Sequence, residues 1–319
     1  MLTILLFASL LFVAFTNGAN ANFKGVASLY ASSTTTLNQA LYWGTAMTFL
    51  GCIMAAFMSD GLLKQFSGKG LVPDELAASP AFACSVALGT ALTSFFATRF
   101  GFPVSTTHAL LGSLAGVGFL AAPTQINIEP LVGAFLIPLF FSPFLAMAIS
   151  GLMAWMIQWM RIDLNQKSNA VRTIHFLSAG GASFARGLND APKMAALFLV
   201  LPAIDPRIAI LIVAIMVAIG GLVDARRVAE TLGDRIAHMN PGQGMLASLV
   251  TFGLVTAASV KSMPVSTTHV SVGALLGTGT VAGQAKWKKA IEVFFAWIST
   301  VPCGAALAAI CYLLLSAIG

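Results

Sequence analysis

The sequence predicts an all-α polytopic membrane protein of about ten transmembrane segments, arranged as two inverted-topology repeats with broken or re-entrant helices. Three observations predict it. Of 319 residues only 9% are charged and 58% are apolar, whereas a soluble domain carries roughly 25% charged residues. The apolar residues come in long runs, as at 131–160, 209–223 and 291–318. Runs of about 20 match the hydrocarbon core of a bilayer when wound as helices, and the alternation of a membrane barrel strand is absent. Finally, two short motifs occur twice, in the same order.

Taken in order, the first half holds five candidate crossings: residues 2–30 (broken at its middle), 41–58, 80–98, 104–121 and 131–160. The second half holds five more: 174–201 (again broken), 208–223, 245–260, 265–282 and 291–318. The domain division is 1–160 for the first repeat, 161–172 for a polar connection and 173–319 for the second repeat. An odd number of crossings per half turns the second copy upside down, the plan of many secondary transporters.

Residues 1–16 are apolar and Ala19-Asn20-Ala21 resembles a signal-peptidase site. No Lys or Arg precedes Lys24, and a cleaved leader normally starts with positive charge. The segment also recurs in diverged form, so it is read as the first half of a transmembrane element.

The net charge of +6 is scattered through short connections, without the aromatic-interleaved basic patch of a nucleic-acid binder. With the N-terminus outside, one face receives Arg99, Arg161, Lys167, Arg172, Arg226, Arg227, Arg235, Lys286, Lys288 and Lys289. The other receives only Lys64, Lys69, Arg207 and Lys261. That bias places both termini outside and the central connection in the cytoplasm. Cys52, Cys84, Cys303 and Cys311 sit in apolar runs; Cys303 and Cys311, the one pair near metal-ligand spacing, are too far apart for one helical face and have no His nearby, so all four read as small packing residues.

The first repeated motif is Asn17-Gly18-Ala19-Asn20-Ala21-Asn22-Phe23-Lys24, echoed by Arg186-Gly187-Leu188-Asn189-Asp190-Ala191-Pro192-Lys193. The shared skeleton is Gly-x-Asn-x-x-x-Lys. An ionisable group at the bilayer centre costs roughly 2.5–3.5 kcal/mol, so Lys24, Lys193 and Asp190 need a reason to be there, as do the carboxamides of Asn17, Asn20, Asn22 and Asn189. Glycine beside each group predicts local unwinding, which is tolerated where backbone lines a cavity or is buried in protein. Half-helix N-termini would attract an anion, while Asn and Asp oxygens with freed carbonyls suit a small hard cation.

The second motif, Pro103-Val104-Ser105-Thr106-Thr107-His108, returns letter for letter as Pro264-Val265-Ser266-Thr267-Thr268-His269. Proline suits the first turn of a helix, and the run after each motif continues as one. The hydroxyls of Ser105, Thr106 and Thr107, and of Ser266, Thr267 and Thr268, would then lie at two helix starts. An anion cradle is one reading; helix capping with Thr–backbone bonding is the other. His108 and His269 would orient the hydroxyls, carry a proton, or bond a neighbouring helix. The acidic residues Asp60, Asp74, Glu75, Asp224, Glu230 and Asp234 read as solvated connections, and Glu292 as a partner of Lys288 one turn away.

At these motifs the chain resembles the PiT family of inorganic phosphate transporters, with its Gly-x-Asn-Asp signature and Pro-x-Ser-Thr-Thr-His element in each half. Gly187-Leu188-Asn189-Asp190 and both Pro-Val-Ser-Thr-Thr-His copies match. The resemblance covers nearly the whole chain. It implies uptake of inorganic phosphate coupled to Na⁺ or H⁺ across a cell membrane, with no cofactor and no enzymatic step, in a protein able to form homo-oligomers in the lipid bilayer. The implied substrate positions are Asn20, Asn189, Ser105, Thr106, Thr107, Ser266, Thr267 and Thr268; the ionisable residues in apolar spans add Lys24 and Lys193 as candidate substrate contacts. The coupling ion is implied at Asp190, Asn20 and Asn189. One departure stands out: Ala21 occupies the acidic position of the first signature. Losing a carboxylate predicts fewer coupled cations, weaker cation dependence or a different ion. Sulfate or another oxyanion on the same scaffold, and an uncoupled anion channel, are the alternatives. A Ser-His-Asp enzyme lacks its elbow and zinc motifs here.

Overall fold

The computed structural model describes residues 2–58, 60–162, 168–235 and 239–317. Lys167 and His238 lie outside the described residues, as do the rest of 163–167 in the central connection and the side chains of Asp60, Asp234 and Arg235. Within the described residues the chain is all helix and connection, as its composition predicts. In the first half α1 (Leu2–Ala21) runs through a 3₁₀ turn (Asn22–Gly25) into α2 (Ala27–Ala31). Then follow α3 (Leu37–Met58), α4 (Asp60–Gln65), α5 (Asp74–Ala77), α6 (Pro80–Arg99) and α7 (Thr106–Ala121), and α8 (Ile128–Pro130) leads through a π-helical turn (Leu131–Leu136) into α9 (Ile137–Trp159). The second half holds α10 (Asn169–Ala195) with a 3₁₀ extension (Ala196–Val200), α11 (Pro206–Asp224), α12 (Arg226–Arg235), α13 (Pro241–Val260), α14 (Thr267–Val281) and α15 (Trp287–Ser316).

Among the described residues seven helical segments are long and apolar enough to cross a bilayer. Three of the ten expected crossings fall short of that measure. At 16 and 15 residues α7 and α14 reach only about 24 Å at 1.5 Å per residue, less than the roughly 30 Å of a hydrocarbon core, and α10 carries Arg186, Asp190 and Lys193 within its length.

The helices pair across the two halves. α1 packs on α6 of its own half and on α11 of the other, while α10 packs on α13 and on α3. α7 lies against α15, and α14 against α9. Lipid offers no hydrophobic drive between helices, so close contact must come from small residues that let backbones meet. A Cβ on Gly18 of α1 would overlap the Val217 carbonyl of α11, and one on Gly187 of α10 would overlap the Thr48 carbonyl of α3.

That geometry corrects the expectation that these glycines unwind their helices. α10 continues as α-helix through Asn189 and Lys193, with Pro192 inside it. The change of winding comes later, at Ala196; in the first half it comes at Asn22–Gly25. Likewise Pro103 and Pro264 do not occupy a first helical turn. They lie two residues before the N-caps, Ser105 and Ser266.

Connections assigned to one face of the bilayer do touch one another. Arg227 donates to the Arg99 carbonyl, and Arg99 pairs with Asp224 at 3.5 Å. Arg172 donates to the Thr34 carbonyl. On the opposite face Asn127 N donates to the Leu71 carbonyl, and Gly61 abuts Ser262. The charged connections hold short helices rather than loops, with Arg226 and Glu230 paired along α12. Glu292 pairs with Lys289, at 2.6 Å, rather than with Lys288. Cys52 and Cys84 are buried packing residues, but Cys303 is exposed. Large apolar side chains such as Phe57, Phe141, Trp159, Phe295 and Leu314 face outward, whereas Asn20, Lys24, Arg186, Asn189 and Lys193 are buried. Polar groups inside and apolar groups outside is the arrangement a lipid solvent selects.

Candidate functional site

Ser105 caps α7 and Ser266 caps α14, each hydroxyl accepting from the N–H three residues on, that of His108 or His269. Both caps have extended backbone, and neither preceding segment is helical, in keeping with prolines that disfavour helical geometry in the residue ahead of them and hold their own φ. The two helix starts meet: the rings of His108 and His269 lie 4.4 Å apart between centroids. His108 Nδ1 lies 3.3 Å from the Trp297 carbonyl of α15, and His269 Nδ1 lies 3.2 Å from the Leu139 carbonyl of α9. Each histidine thus links a helix start to the last long helix of the opposite half, the neighbour-bonding role among those the sequence leaves open.

The two Gly-x-Asn-x-x-x-Lys motifs flank this junction. Lys24 Nζ donates to Asn20 Oδ1 one turn back (2.9 Å), to the Val104 carbonyl (2.5 Å) and to Thr268 Oγ1 (2.8 Å). Lys193 Nζ donates to Asn189 Oδ1 (2.5 Å), the Val265 carbonyl (2.8 Å), Thr107 Oγ1 (2.8 Å) and Asp190 Oδ1 (3.3 Å). Exchange of the halves maps one set onto the other, with Asp190 the single addition. The asparagines are held alike: Asn20 Nδ2 donates to Thr98 Oγ1 of α6 (3.0 Å), and Asn189 Nδ2 to Ser259 Oγ of α13 (2.9 Å).

The candidate substrate and coupling-ion positions are all buried: Asn20, Lys24, Ser105, Thr106, Thr107, Asn189, Asp190, Lys193, Ser266, Thr267 and Thr268. Their tasks differ. Ser105 and Ser266 serve as caps, and Thr107 and Thr268 serve the lysines. The Thr106 hydroxyl is buried with no partner among the described residues. The first N–H groups of α7 and α14 have no intrahelical acceptor. Free N–H groups, an unused hydroxyl and the positive end of two helix dipoles converge on one place.

Sequence reasoning passed over Arg186. It is among the largest fully buried side chains. Its guanidinium donates to Asn17 Oδ1 and Asn22 Oδ1, both at 2.5 Å, and lies 3.5 Å from Asp190 Oδ2. The signal was present, since Arg186 is an ionisable residue inside an apolar run; it lay outside the shared skeleton because Asn17 stands at its place in the first half. Asp190 bridges Arg186 and Lys193. Three buried cations thus face one carboxylate in the cluster, which leaves it attractive to a divalent anion.

A model of the phosphate transporter family matches residues 17–173 and 163–308. A probable low-affinity inorganic phosphate transporter of Rhizobium meliloti (strain 1021) is 27% identical over 96% of this chain and 94% of its own length. One of Bacillus subtilis (strain 168) is 24% identical over 99% and 98%. A sulfate permease of Bacillus subtilis (strain 168) is 26% identical over 72% of this chain and 64% of its own length. Among solved structures, the sodium-dependent phosphate transporter superposes with a TM-score of 0.88 at 22% identity over the whole of both chains, which establishes the likeness of fold.

Proposed function

This chain belongs to the phosphate transporter family, and on that premise we propose that it is a secondary transporter moving inorganic phosphate across the cell membrane, coupled to a cation, Na⁺ or H⁺. Its two halves, 1–160 and 173–319, act as inverted repeats, joined by a cytoplasmic connection and with both termini outside. The observation that carries the reading is the meeting of the α7 and α14 starts between the two lysine-centred clusters. Phosphate sits at that junction, on Ser105, Thr106, Thr107, Ser266, Thr267 and Thr268 and the N–H groups beside them, in the positive field of Lys24 and Lys193. Asn20, Asn189 and Asp190 make the coupling-ion region. Helix starts suit an oxyanion because aligned N–H groups and the dipole favour negative charge. The surplus of buried cations offsets the charge of a phosphate dianion in a low-dielectric interior.

The test is uptake of radiolabelled phosphate into proteoliposomes, with and without an imposed Na⁺ or H⁺ gradient, with sulfate as competitor. Gradient-driven accumulation that resists sulfate and is lost in Asp190→Asn supports the reading. Accumulation of sulfate in place of phosphate overturns the substrate assignment, the sulfate permease relative being the ground for that arm.

A further inference from the structure

Lysine carries three N–H donors and no acceptor. Lys24 spends all three on Asn20 Oδ1, the Val104 carbonyl and Thr268 Oγ1. Lys193 is enclosed by four oxygens, those of Asn189, Asp190, Thr107 and Val265. Neither ammonium has a donor left for an anion. Each cage consists of a carboxamide oxygen, a main-chain carbonyl and a threonine hydroxyl, drawn from both halves. Oxygen-only sets of this kind, with a backbone carbonyl just ahead of a helix start, are the chemistry that a small hard cation takes. In both cages a side chain of the protein supplies the cation.

We propose that Lys24 and Lys193 are tethered cations: their ammonium groups fill, one in each half, the oxygen cages that would otherwise hold Na⁺, so that anion transport by this chain needs no Na⁺. The proposal rests on the transport reading above and removes Na⁺ from its two coupling ions. A cation held on the chain does for these cages what a transported one does. It neutralises the converging oxygens, ties the two motifs across the halves and adds positive charge beside the anion. Charge at the cages also explains how Ala21 is tolerated. With a lysine already in place, the first cage holds its cation on neutral oxygens alone, whereas the second adds Asp190 at 3.3 Å.

Two arms test this. Wild-type uptake of phosphate in proteoliposomes is measured in Na⁺ and in choline media at fixed membrane potential. Separately, the melting temperatures of purified wild type, Lys24→Ala and Lys193→Ala are followed as NaCl replaces choline chloride, without any anion substrate. Expected are equal wild-type rates in both media, no effect of Na⁺ on the wild-type melting temperature, and a saturable Na⁺-dependent rise in both alanine variants. The rise saturates at lower Na⁺ in Lys193→Ala, whose emptied cage keeps Asp190. In choline, uptake by Lys24→Ala falls about tenfold or more, as for loss of one partner in a buried charged network, and Na⁺ restores part of it. Lys24→Met, which fills the space without charge, gains nothing from Na⁺. Saturable Na⁺ stimulation of wild-type uptake overturns the proposal, and so do folded alanine variants whose melting ignores Na⁺. If the alanine variants do not fold, the wild-type arm decides alone. If the wild type moves no phosphate in any medium while the alanine variants still gain Na⁺-dependent stability, the cages stand and the transport reading falls.

Discussion

Lys24 in the first half donates to Thr268 in the second at 2.8 Å, and Lys193 in the second half donates to Thr107 in the first, also at 2.8 Å. These paired bonds tie each signature helix to the helix start of the opposite repeat. A local change at one motif is therefore felt at the other, a coupling that the proposed transport by two opposed repeats would use.

The two threonines differ in what surrounds their lysine. Thr268→Val leaves Lys24 with two acceptors for three donors, a buried shortfall that costs about 1–3 kcal/mol. Thr107→Val leaves Lys193 with three acceptors, so the melting temperature in detergent should fall more for Thr268→Val than for Thr107→Val. Equal losses would contradict the count of partners.

Arg186 and Asp190 form a charged pair in α10 where the first half has Asn17 and Ala21. Removing one member of such a pair costs about 3–5 kcal/mol. The double variant Arg186→Asn/Asp190→Ala writes the first half's letters into the second. It should lose less than the two single changes combined, with a coupling of about 1–3 kcal/mol in a double-mutant cycle. Additive losses would mean that Arg186 acts on Asn17 and Asn22 independently of Asp190.

Gly187→Ala forces a methyl against the Thr48 carbonyl of α3. Overpacking of this kind costs about 1–3 kcal/mol, and it should separate helices that meet across the halves. Gly133→Ala, where a Cβ meets nothing within 4 Å, should change stability by less than about 0.5 kcal/mol. Thermal melting of the two variants side by side checks the contrast.

Ala21→Asp restores the acidic letter three residues before Lys24, the spacing at which Asp190 stands to Lys193. A new carboxylate subtracts one positive charge from the cluster. The Km for the anion should rise by at least about tenfold, because two like unit charges even about 12 Å apart repel by about 1.4 kcal/mol at an effective dielectric near 20. An unchanged Km would place the anion outside the reach of this helix.

The class of the molecule was legible in the sequence because it depends on local quantities: the length of apolar runs, the scarcity of charge, and a motif pair repeated in order. The membership of the cluster was legible too, since a lysine, an aspartate or a carboxamide in an apolar run has few other reasons to be there. Tertiary structure alone decided what those residues do. Gly18 and Gly187 read as sites of unwinding, but the backbones of α11 and α3 press against them. Pro103 and Pro264 read as helix residues, but the caps Ser105 and Ser266 follow them. Arg186 escaped notice because its partners Asn17 and Asn22 are distant in sequence and the repeat does not preserve it. The donors of Lys24 and Lys193, open on paper to substrate, are taken by oxygens from both halves. Spacing along a chain fixes which residues share a helix face, but the partners of a buried donor are set by which helices meet, and here those meetings run between the halves.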